Sequence, residues 1–216
     1  TDRTRSVKPY AAYAIGAALV DTEIQVTDAE LATMNIDKGM MTLVDLARQR
    51  DILTTLSDHL IRANHASGGS AGNSMIATAL MGAPTYMSCK VAQDADGDIY
   101  LTDLERSGVA HGLTERSTDG VTGKCIVLIT PDAERSLNTH LGISETLSTD
   151  EVDEVAIRDS EWVYLEGYLV TSPTGHAAAL KTKALAEAHG VKTAVSFSDP
   201  GMVKFFRDNM AAMVEG

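Results

Sequence analysis

Three groups of residues in this chain could do chemistry. The densest is Gly68-Gly69-Ser70-Ala71-Gly72-Asn73-Ser74, which runs into the apolar Met75, Ile76, Ala79 and Leu80. Glycines let a backbone approach a ligand without interference from Cβ. The helix that follows offers unpaired N–H groups and a partial positive charge at its start. Such an entrance suits a polar ligand, and a plain turn capped by Ser70 or Asn73 would use the same residue types. The second is Asp21, which closes the apolar run from Tyr10 to Val20. A carboxylate at the carboxyl end of a strand lines the crevice of an α/β sheet and can accept hydrogen bonds from two vicinal hydroxyls; it could equally cap a turn with Thr22. The third is Arg135, beside the turn Pro131-Asp132-Ala133-Glu134. Its guanidinium fits phosphate in bidentate fashion and would also be at home in solvent.

Two familiar motifs are approached and missed. Gly68-Gly69-Ser70-Ala71-Gly72 has the Gly-x-Ser-x-Gly spacing of a serine hydrolase elbow, which needs a strand immediately before it and a histidine partner later. Leu60 to His65 reads as a poor buried strand, and His140, His176 and His189 each have a surface or helix-end reading. Gly123-Lys124 resembles the end of a phosphate-binding loop, but Thr118 occupies the place of its first glycine and Cys125 that of the magnesium-binding hydroxyl. Cys89 and Cys125 sit in apolar segments without close Cys or His neighbours, as buried free thiols of a reducing compartment do.

A chain of 216 residues with 44% hydrophobic content can bury one substantial core. Its formal charge of -12 opposes a nucleic-acid or anionic-membrane partner and favours a small soluble ligand. The apolar run Ala11 to Val20 is too short to span a bilayer and has no signal-peptide context, so a cytoplasmic protein is expected.

The elements that must position these residues follow from periodicity. Tyr10 to Val20 reads as one buried parallel strand, with a helix packed on it through Leu43, Leu46, Ala47, Ile52, Leu53, Leu56 and Leu60. Thr85 to Val91, Glu161 to Glu166 and Val191 to Phe197 read as further strands. They alternate with helices over Gly97 to Arg106, Pro173 to His189 and Pro200 to Val214. The acidic run Asp150 to Glu154 reads as a helix's first turn. Alternation of this kind predicts a doubly wound α/β sheet. Gly123 to Thr130 and Arg135 to Thr139 instead form a hairpin, which Val20 to Val26 could join. Strands from about 20–42 and 112–140 would then build a small sheet over one edge of the main one, as a lid.

Taken in order, several segments resemble the ribokinase-like carbohydrate and nucleoside kinases, most of all the adenosine kinase branch. They are Gly16 to Asp21, Gly68 to Ser74, Lys90 to Gly97, Thr122 to Cys125, Asp132 to Leu137 and Glu166 to Leu169. The resemblance implies a mainly parallel α/β sheet with a β-sheet lid, residues 1–216 being the N-terminal portion of one such domain. It implies ATP-dependent phosphorylation of a primary hydroxyl of a nucleoside, adenosine to AMP, with ATP and Mg2+ as cofactors; a ribose- or fructose-type sugar kinase is the alternative. Asp21 would grip sugar hydroxyls, Gly68, Gly69 and Asn73 would complete the sugar site, and Ile36 and Leu169 would be apolar walls for a base. Arg135 would contact the transferred phosphate. A homodimer could form through the lid.

Three departures accompany the resemblance. Ala17 stands where the family often has Asn, and Ala92 where a Gly is common. The family's Asp-Thr-x-Gly-Ala-Gly-Asp and Asn-x-x-Glu motifs do not occur in the sequence. The catalytic base is therefore expected beyond Gly216. A nucleoside-binding fragment without turnover, and after it a serine hydrolase using Ser70, are the readings from other classes.

Overall fold

Ten strands and eight α-helices are seen in a computed structural model that describes residues 8–62, 64–113 and 115–215. The strands are β1 (Tyr10–Ile15), β2 (Leu19–Gln25), β3 (Met41–Leu43), β4 (Asn64–Gly68), β5 (Thr85–Ser88), β6 (Val109–His111), β7 (Gly123–Ile129), β8 (Arg135–His140), β9 (Ser160–Leu165) and β10 (Lys192–Val195). The helices are α1 (Asp28–Thr33), α2 (Leu46–Thr55), α3 (Ser70–Leu80), α4 (Ala95–Arg106), α5 (Glu154–Arg158), α6 (Pro173–Ala188), α7 (Pro200–Phe205) and α8 (Arg207–Val214).

The strands divide into two sheets. The first, in the order β10-β9-β1-β5-β6, is parallel throughout. Helices cover both of its faces, so its strands read as apolar runs rather than alternating ones. On one face Ala178, Ala179 and Ala186 of α6 and Ile157 of α5 pack on Tyr13, Ile15, Val163 and Leu165. On the other, Met75 of α3 and Tyr100 and Leu104 of α4 pack on Ala14 and Met87. Within this sheet the expected βα alternation holds, with strand ends trimmed and Pro200 to Val214 broken at Phe206 into α7 and α8. The acidic run supplies a 3-10 turn at Thr149–Glu151 and the Asp153 cap of α5 rather than one helical turn.

The second sheet, in the order β3-β8-β7-β2-β4, is mixed. Its β7 and β8 are the hairpin expected from sequence, with Ile129 opposite Arg135, and β2 runs parallel to β7. Side chains alternate between its faces. Ile24, Ile126 and Leu128 pack outward against Leu31 of α1 and Ile52 of α2, while Leu19, Cys125 and Val127 face inward with Leu137 and Leu141.

Two sequence expectations are corrected here. Tyr10 to Val20 is not one strand: the chain leaves the first sheet after Ile15 and enters the second at Leu19. At the break the Ala17 N–H donates to the Glu166 side chain, and the Ala18 N–H and carbonyl both bond the Ser144 hydroxyl, so the ladder cannot continue. An apolar run carries no mark of such a change, because β1 and β2 are both buried. The helix around Ile52 is also shorter than its leucine spacing implies and lies on the outer face of the second sheet, not on the parallel one. A strand outside the two expected segments, β4, leads directly into the glycine turn and pairs antiparallel with β2.

Candidate active site

The glycine turn is shaped by what faces it. Gly69 has φ +85°, and a Cβ there would lie 2.4 Å from the Ala17 carbonyl oxygen. A Cβ on Gly68 would sit 2.0 Å from Asp21 Oδ1. Both glycines are therefore required by close approach, and the Asp21 carboxylate occupies the space that a side chain at residue 68 would take. Asp21 lies in β2, opposite Ala66 of β4 and Cys125 of β7, rather than at the end of a first-sheet strand.

Asp21 is the electrostatic centre of the cleft. Its Oδ1 is buried and has no hydrogen-bond partner. Loss of solvent pushes its pKa up to about 6, opposed by the Arg135 guanidinium and assisted by Glu23. Arg135 Nη2 pairs with Glu23 Oε1 at 3.1 Å, with half of the arginine side chain exposed. A half-desolvated acceptor with an unpaired oxygen is what a hydroxyl-bearing ligand satisfies.

Asp21, Gly69, Asn73 and Arg135 line one cleft of about 190 Å³ between the two sheets, together with Leu19, Met41, Leu43, Leu137, Leu141, Ser70, Glu166 and Tyr168. Typical small-molecule clefts run from ~300 Å³ upward, so this one takes a single small ligand. Gly68 stands directly behind it through Asp21.

The other two expected residues are not in the cleft. Ile36 packs with Ile24, Leu31 and Met34 on the outer face of the second sheet. Leu169 is 6% exposed in the main core. It lies in a 3-10 turn, Gly167–Thr171, that sends Tyr168 to the cleft and Leu169 inward. The apolar walls are instead Leu19, Met41, Leu43, Leu137 and Leu141, with Tyr168 as an aromatic surface. Their signal in the sequence is period two: Leu19 and Asp21 share a face of β2, and Arg135, Leu137 and Thr139 share a face of β8.

Sequence reasoning gave no role to Glu166, which is 1% exposed. Its Oε1 accepts from the Ala17 N–H at 2.9 Å, and its Oε2 accepts from the Ser70 hydroxyl at 2.6 Å and the Ala71 N–H at 3.0 Å. Burial pushes its pKa up, and these three donors oppose the rise. Burial, then the neighbouring Asp199, also carries the Tyr168 hydroxyl well above its usual range.

A hydrolase triad is not assembled. Ser70 donates to Glu166, while His140 bonds the Val44 carbonyl, His176 the Asn209 carbonyl and His189 the Glu154 carboxylate. Lys124 pairs with Asp96 at 2.6 Å and forms no phosphate loop. Burial pushes both cysteine thiols up to about 12. Among the described residues no group of three His, Cys, Asp or Glu side chains could hold a metal. A larger groove of about 620 Å³ runs along Tyr86 to Cys89 and Asp150 to Val155, but among the described residues no buried, unpartnered polar side-chain atom belongs to its lining, whereas Asp21 Oδ1 belongs to that of the smaller cleft.

A parallel sheet sandwiched by helices, joined to a second, mixed sheet with a cleft lined by Asp21, Glu166 and Arg135, defines the class as an α/β fold. Residues 34–216 match the pfkB family of carbohydrate kinases, and the chain belongs to that family. It is 32% identical to the adenosine kinase from Sinorhizobium meliloti, with a TM-score of 0.87, covering 93% of this chain and 60% of that one. It is 30% identical to a probable sugar kinase from Rhizobium etli, again with a TM-score of 0.87, covering 94% of this chain and 60% of that one. Mouse ribokinase is 25% identical over 126 residues, which are 58% of this chain and 38% of the relative. The chain thus spans well under two thirds of the length of the relatives it matches.

Proposed function

We propose that the protein containing this chain phosphorylates a primary hydroxyl of a nucleoside, adenosine to AMP, from ATP and Mg2+. The observation that carries this reading is the buried, unpartnered Oδ1 of Asp21, held against the Gly68-Gly69 turn. Ionised Asp21 accepts hydrogen bonds from the sugar hydroxyls, the Gly69 backbone and Asn73 approach the same sugar, and the leucine walls and Tyr168 cover the base. Bound MgATP would supply the γ-phosphoryl group and its charge neutralisation. Arg135 is exposed enough to leave Glu23 for a phosphate, and its forked guanidinium matches one. These residues bind and orient; positioning carries much of the acceleration in phosphoryl transfer. Among the described residues no group of three His, Cys, Asp or Glu side chains would hold the magnesium ion.

A sugar kinase of ribose or fructose type is the second reading, favoured by the small volume of the cleft. The five aliphatic walls and Tyr168 favour the nucleoside, because a free sugar asks for more hydrogen-bond partners. ADP release with adenosine, ribose and fructose separates the two, and adenosine-dependent turnover that Asp21→Asn abolishes supports the first. Ribose- or fructose-dependent turnover without an adenosine response moves the assignment to the sugar.

A further inference from the structure

Helix α3 begins without a cap of its own. Its N-cap residue is Gly69, which has no side chain to accept from the first turn as Ser, Thr, Asp or Asn caps do. The acceptor comes from 95 residues away: Glu166 Oε2 takes the Ala71 N–H and the Ser70 hydroxyl. The same carboxylate takes the Ala17 N–H on its other oxygen. Ala17 is the middle of the crossing between the sheets, and its carbonyl is what a Cβ at Gly69 would strike. The crossing and the helix start therefore touch each other and share one anchor. None of the three partners of Glu166 is cationic, so its counter-charge is the positive end of α3. Gly16 completes the fit, because a Cβ there would lie 2.5 Å from Glu166 Oε1.

We propose that Glu166 is a positioning residue, a remote cap that pins the start of α3 and the β1–β2 crossing to the end of β9 and so fixes Gly69 and Asn73 relative to Asp21. The proposal rests on the reading of the cleft as a hydroxyl-binding site, but part of its test is independent of that reading. Both carboxylate oxygens take donors from the protein itself, and the role assigned to Glu166 is exerted through the turn.

The test compares Glu166→Gln and Gly16→Ala with the unaltered chain; the second keeps the charge but crowds both the carboxylate and the Ala71 Cβ, so in that variant exchange is read at Ala17 alone. Amide hydrogen exchange at Ala17 and Ala71 is read against β5 as an internal standard. Adenosine affinity is read by calorimetry well below the unfolding temperature, from pH 5 to pH 8. Exchange at both amides is expected to quicken about tenfold or more. Affinity is expected to weaken about tenfold at every pH, with the pH midpoint set by Asp21 unchanged. A lower Tm with unchanged exchange at those amides and unchanged affinity would make Glu166 merely structural and overturn the proposal. If the unaltered chain binds neither adenosine, ribose nor fructose, the functional reading fails, while the exchange comparison still decides the role of Glu166. Should both variants fail to fold, Ser70→Ala removes one of the three donors, and unchanged exchange at Ala71 would overturn the proposal.

Discussion

The role proposed for Asp21 puts binding and stability in opposition. Its folded pKa of about 6 lies above the ordinary 3.8, so the protonated form is the one the fold prefers. That preference contributes fully below about pH 4 and is lost as pH rises through about 6. Asp21→Asn is therefore expected to stabilise the chain at pH 7 by up to about 3 kcal/mol, seen as a raised denaturation midpoint, while abolishing ligand binding. Binding uses the opposite form, so affinity in the unaltered chain should fall as pH drops through about 6. A pH-independent affinity would remove Asp21 from the ligand contact. Gly68→Ala should mimic the loss of Asp21, since its new methyl would stand 2.0 Å from Oδ1; full affinity in that variant would show that the carboxylate does not need its cradle. Residue type and the family resemblance singled out Asp21, Gly69, Asn73 and Arg135, and the structure brings these four to one cleft; what they do there is the proposal made above. Glu166 was not singled out, since a glutamate ending an apolar strand looks like any solvated one until its donors arrive from 95 and 149 residues away.

Among the elements, strands flanked by helices were legible and changes of sheet were not. Periodicity reports how many faces of a strand are buried, and β1 and β2 give the same answer in different sheets. That Leu169, expected as a wall, lies outside the cleft has a related reason. Leu169 and Tyr168 are neighbours in a 3-10 turn, and only the direction of that turn decides which enters the cleft. Helix α3 lies against α4 through a notch: a Cβ on Gly72 would fall 2.4 Å from the Tyr100 hydroxyl. Gly72→Ala is expected to cost about 1–3 kcal/mol as overpacking, measured by chemical denaturation, and Gly72→Ala combined with Tyr100→Phe should recover part of it. No recovery in the double variant would mean that the hydroxyl is not the obstacle.

At the scale of the molecule, the parallel sheet rests on pairings that are distant in sequence, such as Tyr10 with Ser160 in the β1–β9 ladder. The cleft joins that sheet to the second one, so a ligand seated there should stabilise both together. Adenosine at one hundred times its dissociation constant is expected to add about 2.7 kcal/mol, read as a single upward shift of the thermal transition that Asp21→Asn abolishes. A shift that persists in Asp21→Asn would place the ligand elsewhere.

The second sheet takes its five strands from four separate stretches of chain, and the residues around its cleft run from Ala17 to Thr171. The cleft is consequently not a module. No short contiguous segment can be excised or transplanted with the cleft inside it, and a recombination breakpoint anywhere between those two residues separates walls that must meet. Exchange of specificity among relatives would have to proceed by substitution at single wall positions such as Met41, Leu137 or Tyr168, each presented by a different stretch of chain.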